Sequence, residues 1–163
     1  MEIITYNFEE SLKEAFIEMN KAWIIRDYIL EEEDIRVLSN IDNAIRNGSK
    51  IYFALYKGIP ISTLMLINLG NNIYELAKYA TKEGYENLGA GSSVLKYALN
   101  DAKEFANKII IATNKKCLSA IHLYKKYGFV ELKQIKSFGF SSSRVDICFE
   151  LDLQGLLWIK IDY

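Results

Sequence analysis

The sequence predicts an α+β fold built on a largely antiparallel sheet, and three observations predict it. Residues 51–56 and 59–67 are two apolar runs joined at Lys57-Gly58, a tight hairpin signal. Residues 74–81 alternate as a strand does. A glycine-punctuated turn then carries the chain into Val94, Leu95, Ala98, Leu99, Ala102, Phe105 and Ala106, spaced like the buried face of a helix. A further short apolar run at 108–113 and an alternating run at 144–152 complete the strand pattern.

Taken in order, residues 2–6 read as a first strand. Asn7 is placed to cap a helix through Met19, with Leu12, Ala15, Phe16 and Met19 on one face. Trp23, Ile24, Ile25, Tyr28 and Ile29 continue an apolar, aromatic stretch, which Glu31-Glu32-Glu33-Asp34 interrupts. Ile35, Leu38, Ile41 and Ile45 then give one more helical pattern, stopped at Asn47-Gly48. The two runs of the hairpin are apolar at nearly every position, so both strands are expected in the middle of the sheet, covered on both faces. Gly70-Asn71-Asn72 makes the next turn. Beyond the 108–113 strand, residues 130–136 read as another strand and 138–143 as a loop. The 144–152 strand is expected to show one face to solvent or a partner.

Composition sets the class. At 163 residues one domain spanning 1–163 is expected, with no linker, repeat or low-complexity segment and a single proline, Pro60. Apolar residues make up 50% and charged residues 25%, ordinary for a soluble globular protein. Twenty basic against twenty-one acidic side chains give no field for nucleic acid or a membrane surface. Cys117 and Cys148 have no metal-ligand spacing, no metal is expected, and a reduced compartment fits. No apolar run approaches the length that spans a bilayer, so the cytoplasm is the expected location. The apolar tail at 154–163 either folds back onto the domain or completes a homodimer contact.

The chemistry concentrates at Tyr85-Glu86-Asn87-Leu88-Gly89-Ala90-Gly91-Ser92-Ser93. A strand, a glycine turn and a helix in succession leave free backbone N–H groups at the positive end of the helix dipole, an anion site. Glycine lets backbone approach phosphate without a Cβ in the way. The P-loop reading fails, because Ser92-Ser93 rather than Lys-Ser/Thr follow Gly91. The dinucleotide fingerprint also fits poorly, since Val94 stands where its third glycine belongs.

A third reading draws on the residues beyond that helix. Thr113-Asn114 and then Ala120, Leu123, Tyr124, Gly128 and Phe129 match the pattern Thr-Asn followed by Ala-x-x-Leu-Tyr-x-x-x-Gly-Phe. Residues 86–91 match Gln/Arg-x-x-Gly-x-Gly/Ala at all but the first position. On these two motifs the chain resembles the GCN5-related N-acetyltransferases, the GNAT superfamily, strongly over 74–129 and at lower resolution over 1–152. The resemblance implies a mixed, mostly antiparallel sheet of about six to seven strands with helices on both faces. It also implies that the sheet splays between the Glu75 strand and the Ile109 strand to admit acetyl-CoA.

Acetyl transfer to an amine needs a neutral amine, a stabilised oxyanion and a proton for the leaving thiolate. The resemblance puts Tyr124 at the general acid, near the CoA sulfur; Ile121, Tyr124 and Tyr127 also share a helix side, as core residues would. Asn114 matches the asparagine that contacts the pantetheine arm, and could equally cap a helix. Glu75 is the candidate base, directly or through water, unless it is an outward strand glutamate and a water relay serves instead. Backbone groups of Tyr79, Ala80 and Thr81 resemble the segment that pairs with pantetheine. Glu86, Asn87, Leu88, Gly89, Ala90, Gly91 and Ser92 form the pyrophosphate turn. Glu86 departs from the family pattern. A carboxylate about 5 Å from phosphate would be repelled by roughly 3 kcal/mol at an effective dielectric near 20. An outward swing, or Lys82, Lys115 or Lys116, would offset that cost.

The acidic run at 31–34 either attracts a cationic acceptor or complements its helix dipole. His122, the only histidine, reads as a surface residue, and Arg144 either meets an acidic acceptor group or makes a salt bridge. The implied activity is transfer from acetyl-CoA to a primary amine by direct attack. The acceptor would be a small molecule (a polyamine, an amino acid or an aminoglycoside) or a protein N-terminus or lysine. A non-catalytic acetyl-CoA-binding regulatory module and a nucleotide-binding module are the alternatives from other classes.

Overall fold

The computed structural model describes residues 2–133 and 144–154. The chain opens with strand β1 (Ile3–Asn7), a single 3-10 turn at Glu10–Leu12 and helix α1 (Lys13–Asp27). Asn7 ends the strand, paired with Tyr52, instead of capping the helix. The helix therefore starts later than expected and takes in Trp23, Ile24 and Ile25 as its last turns. The single helical pattern expected after the acidic run is two short helices, α2 (Glu32–Leu38) and α3 (Ile41–Arg46). Between them Ser39 turns its hydroxyl back onto the Ile35 carbonyl at 2.7 Å, and the Asn40 amide bonds Val37 at 3.2 Å. Local bonds of this kind compete with the helix ladder and end it.

Strands β2 (Lys50–Tyr56) and β3 (Ile59–Asn68) form the expected hairpin. Both turn residues take positive φ, 50° at Lys57 and 76° at Gly58, which matches the twist of the flanking strands. Strand β4 (Ile73–Thr81), helix α4 (Ala90–Ala102), strand β5 (Lys108–Thr113) and helix α5 (Leu118–Lys126) come next. The described chain ends in strands β6 (Val130–Glu131) and β7 (Ile147–Asp152). Strand β6 is far shorter than the expected 130–136; residues 134–136, the 138–143 loop and the tail from 155 onward lie outside the described residues.

Among the described residues seven strands form one sheet, in the order β1-β2-β3-β4-β5-β7-β6. Every neighbouring pair is antiparallel except β4 and β5. The apolar runs of β2 and β3 divide by parity between two cores, which is why they do not alternate in polarity. Tyr52, Ala54, Leu64 and Leu66 pack with α4 and α5 on one face. Ile51, Phe53 and Met65 pack on the other with Phe16 and Met19 of α1, Leu38 of α2 and Ile41 of α3. Strand β7 keeps the one-sided pattern in part: Ile147, Phe149 and Leu151 are buried and Asp152 is exposed, but Cys148 on the second face is buried too.

The position of the site follows from one break in the sheet. Strands β4 and β5 pair only at Ile73↔Lys108, Tyr74↔Ile109 and Glu75↔Ile110. Beyond Glu75, β4 stays with β3 as far as Thr81, while β5 stays with β7 as far as Thr113, and the two part. This is the expected splay between the Glu75 and Ile109 strands.

Candidate active site

The parted strands open a cleft of about 1200 Å³. Along it the β4 edge has no strand partner among the described residues, which leaves backbone N–H and C=O groups for water or an extended ligand to satisfy. A bulge re-aims this edge. Thr63 pairs with Ala80 but Met65 with Ala77, so β4 carries one extra residue, and Lys78 absorbs it with φ at 51°.

At one end of the gap is the glycine turn. Gly89 caps α4 in the left-handed region, φ 84°, where a Cβ would be strained. The Ser93 amide closes the first helical turn on the Gly89 carbonyl at 2.9 Å. The amides of Ala90, Gly91 and Ser92 precede that bond and have no helical acceptor. A Cβ on Gly91 would come 3.1 Å from the Tyr79 hydroxyl, and that hydroxyl donates to the Gly91 carbonyl, locking β4 onto the start of α4. The Ser92 hydroxyl is shared with Tyr127 at 3.0 Å.

Glu86 does not face the turn unopposed. One oxygen accepts the Gly84 amide at 2.8 Å and the other lies 3.5 Å from Arg26. The cation beside Glu86 is thus Arg26 of α1, which the sequence did not suggest; of the expected lysines, Lys116 lines the same cleft. Asn87, φ 61°, lines the cleft, whereas Leu88 is exposed outside it.

Glu75 lies at the apex, the last β4 residue paired with β5. Its carboxyl lines the cleft and makes no hydrogen bond or ion pair among the described residues. Burial pushes its pKa up to about 8, against a smaller opposing pull from Lys78. Tyr124 stands across the gap on α5, its ring packed on Phe129 at 5.7 Å, Phe149 at 5.9 Å and Tyr79 at 6.2 Å. The residue lines the cleft, its hydroxyl has no hydrogen-bond partner among the described residues, and burial raises its pKa well above that of an ordinary phenol.

Tyr79 and Thr81 line the gap, and Thr81 shares a hydrogen bond with Ser62 at 3.1 Å. The Ala80 side chain turns away into the α1 core. Asn114 is no helix cap. Its Oδ1 accepts the Lys116 amide at 2.9 Å and its Nδ2 donates to the Arg144 carbonyl at 2.8 Å; Cys117 holds the cap position of α5. His122 is exposed at the cleft mouth.

Sequence reasoning missed the network on the α2 wall. Asp34, only 1% exposed, binds Lys78 at 2.8 Å and Arg144 at 2.7 Å, and accepts the Glu31 amide at 2.9 Å. Burial alone would raise its pKa; Lys78, the Glu31 amide and Arg144 together outweigh that and hold it below the usual carboxylate value. Arg144 lies over the Tyr28 ring at 5.4 Å, and the Tyr28 hydroxyl is 3.9 Å from the Cys117 sulfur. The acidic run carried a hint, because Asp34 is spaced to cap its own helix, but nothing local announces partners so distant in sequence. Among the described residues no group of three or more His, Cys, Asp or Glu side chains is arranged to hold a metal, and no helix is long and apolar enough to cross a membrane.

A mixed sheet split beside a glycine-capped helix makes a cleft for an extended ligand with an anionic end. The family model described as "Acetyltransferase (GNAT) family" matches residues 9–129, most of the chain, and the protein belongs to that family. It resembles a GNAT-family acetyltransferase of Staphylococcus aureus Mu50, with TM-score 0.82 and 25% identity over 93% of this chain and 99% of that one. YncA of Salmonella typhimurium, a putative acetyltransferase solved with its cofactor acetyl-CoA, shares the fold: TM-score 0.74, 12% identity, 94% and 95% of the two chains. The PaiA N-acetyltransferase of Thermoplasma acidophilum, solved with coenzyme A, does so at TM-score 0.70 and 18% identity over 93% and 99%. Among curated proteins none matches.

Proposed function

We propose that the protein transfers the acetyl group of acetyl-CoA to a primary amine by direct attack. The observation that carries this reading is the juxtaposition of three groups along one gap. The α4 amides lie at one end, Glu75 at the apex and the Tyr124 hydroxyl on the facing wall. The gap fits an extended pantetheine arm, because the β4 edge has backbone groups to pair. Gly89 holds the turn at φ 84° and Gly91 lets α4 begin against Tyr79, so that the helix amides face an anion such as a diphosphate.

Each residue then has a task. The Ala90, Gly91 and Ser92 amides hold the diphosphate. The exposed backbone around Tyr79 pairs the arm and polarises the thioester carbonyl. Glu75 takes a proton from the acceptor ammonium, directly or through water, and so frees the nitrogen lone pair. As the new C–N bond forms and the C–S bond breaks, Tyr124 gives its proton to the departing sulfur. A raised phenol pKa keeps that proton in place until it is needed. The cytoplasm, where Cys117 and Cys148 stay reduced, is the compartment this reading expects.

The test is thiol release from acetyl-CoA with a panel of primary amines, alongside acetyl-CoA binding by calorimetry. The reading expects amine-dependent thiol release. Tight binding with no turnover for any amine would favour a regulatory module, and absence of binding would remove the reading altogether.

A further inference from the structure

We infer that the acceptor carries a single ammonium on an apolar body, and that the cleft selects against polycations. This rests on the acetyltransferase reading and deepens it. Among the described residues five carboxyl side chains line the cleft: Asp27, Glu33, Asp34, Glu75 and Glu86. Each of the four other than Glu75 lies against a basic side chain of the protein, with Arg26 shared by two of them. Asp27 has Arg26 at 3.0 Å, Glu33 has Arg36 at 2.9 Å, and Glu86 has Arg26 at 3.5 Å. Asp34 binds Lys78 and Arg144, and Arg144 also lies 3.8 Å from Glu31. Glu75 alone makes no ion pair or hydrogen bond among the described residues, so one carboxyl is available to one ammonium.

The surroundings of Glu75 complete the selection. Its cross-strand partner is Ile67, which stands on the same face of the sheet. Val37 lies one helical turn beyond Glu33 on α2, and Trp23 adds an aromatic surface; all three line the cleft. A second ammonium would meet these apolar groups or the Lys78 and Arg144 cations that already occupy Asp34. Either way it would lose its hydration without a counter-charge.

The experiment compares kcat/KM for hexylamine with that for hexamethylenediamine at equal pH and salt, and phenethylamine with spermidine as a second pair. The chain length of the first pair is constant and only the far ammonium differs. The inference expects the monoamine to be favoured by about tenfold or more in each pair, since an unpaired charge is costly to desolvate. Equal or better use of the diamine and spermidine would overturn it and leave the acetyltransferase reading intact. Acetyl-CoA binding without turnover of any amine would instead bring down that reading and this inference together. Val37→Glu, checked for folding by its melting temperature, adds a carboxylate to the wall. It should shrink the monoamine preference several-fold. A folded variant with an unchanged ratio would show that this wall does not set the preference.

Discussion

Lys78 binds Asp34 across the cleft wall at 2.8 Å, joining the bulged residue of β4 to helix α2. Arg144 takes the other side of the same carboxylate, at 2.7 and 2.8 Å, and brings the segment before β7 onto the same point. One buried acid thus fixes three parts of the site relative to one another.

Removing that acid leaves two cations facing each other in a largely buried position. Asp34→Ala should therefore lose about 3–5 kcal/mol of stability. In a chain of this size that corresponds to a melting temperature lower by roughly 10 °C. The pH sign follows from the depressed pKa. Asp34 contributes stability above its unfolded pKa, and that contribution fades as pH falls through the still lower folded value. The stability gap between wild type and variant should hence be full at pH 7 and shrink under strong acid. Thermal melts across pH measure both, and a loss below about 1 kcal/mol would mean that the three segments are held otherwise.

Glu75 has the opposite shift, pushed up to about 8. A base must be deprotonated to work, so kcat/KM should rise with pH through a limb near 8 and level off above it. Stability runs the other way. The folded state holds this proton more tightly than the unfolded chain, so stability falls as pH climbs from the ordinary carboxylate range to about 8. Glu75→Gln should abolish the kinetic limb and lower kcat by about 10²–10⁴. Retention of limb and rate in the variant would move the base to a water relay.

Tyr124→Phe separates the acid role from core packing. The ring contacts to Phe129 and Phe149 survive the change, and the hydroxyl has no protein partner among the described residues to lose. Stability should stay within about 0.5 kcal/mol, and acetyl-CoA affinity within about twofold, while kcat falls by about 10²–10⁴. Unchanged kcat with a lower melting temperature would make Tyr124 a packing residue only.

Gly91 and Glu86 make contrasting predictions for the diphosphate turn. Gly91→Ala puts a Cβ 3.1 Å from the Tyr79 hydroxyl and must shift the lock between β4 and α4. Acetyl-CoA affinity should fall by about tenfold, or 1.4 kcal/mol. Glu86→Gln should change it by no more than about threefold, because Arg26 and the Gly84 amide already engage the carboxylate. Calorimetry reads both. A gain beyond about tenfold on Glu86→Gln would show that the acid does repel the ligand.

The features legible in the sequence are those with local causes. Lys57-Gly58 fixed the hairpin because a two-residue turn needs positive φ, and the spacing of Val94, Leu95, Ala98 and Leu99 fixed α4 because a helix buries one stripe. The glycine turn was legible as a strand, a glycine pair and a helix in succession, whereas the splay at Glu75 and the role of Tyr124 came through family resemblance rather than periodicity. What stayed hidden was set at long range. Asp34 meets partners 44 and 110 residues away, and Arg26 of α1 reaches Glu86 in the turn before α4. Composition can name such residues but not pair them. The late start of α1 was misread because Asn7 suits a cap equally well as a strand end, and pairing with Tyr52 decided it.

A crystal structure with coenzyme A bound tests the central claim most directly. The account predicts the diphosphate on the amides of Ala90, Gly91 and Ser92, with the pantetheine arm along the β4 edge between the parted strands and its sulfur beside Tyr124. Density for the ligand outside the β4–β5 gap would contradict it.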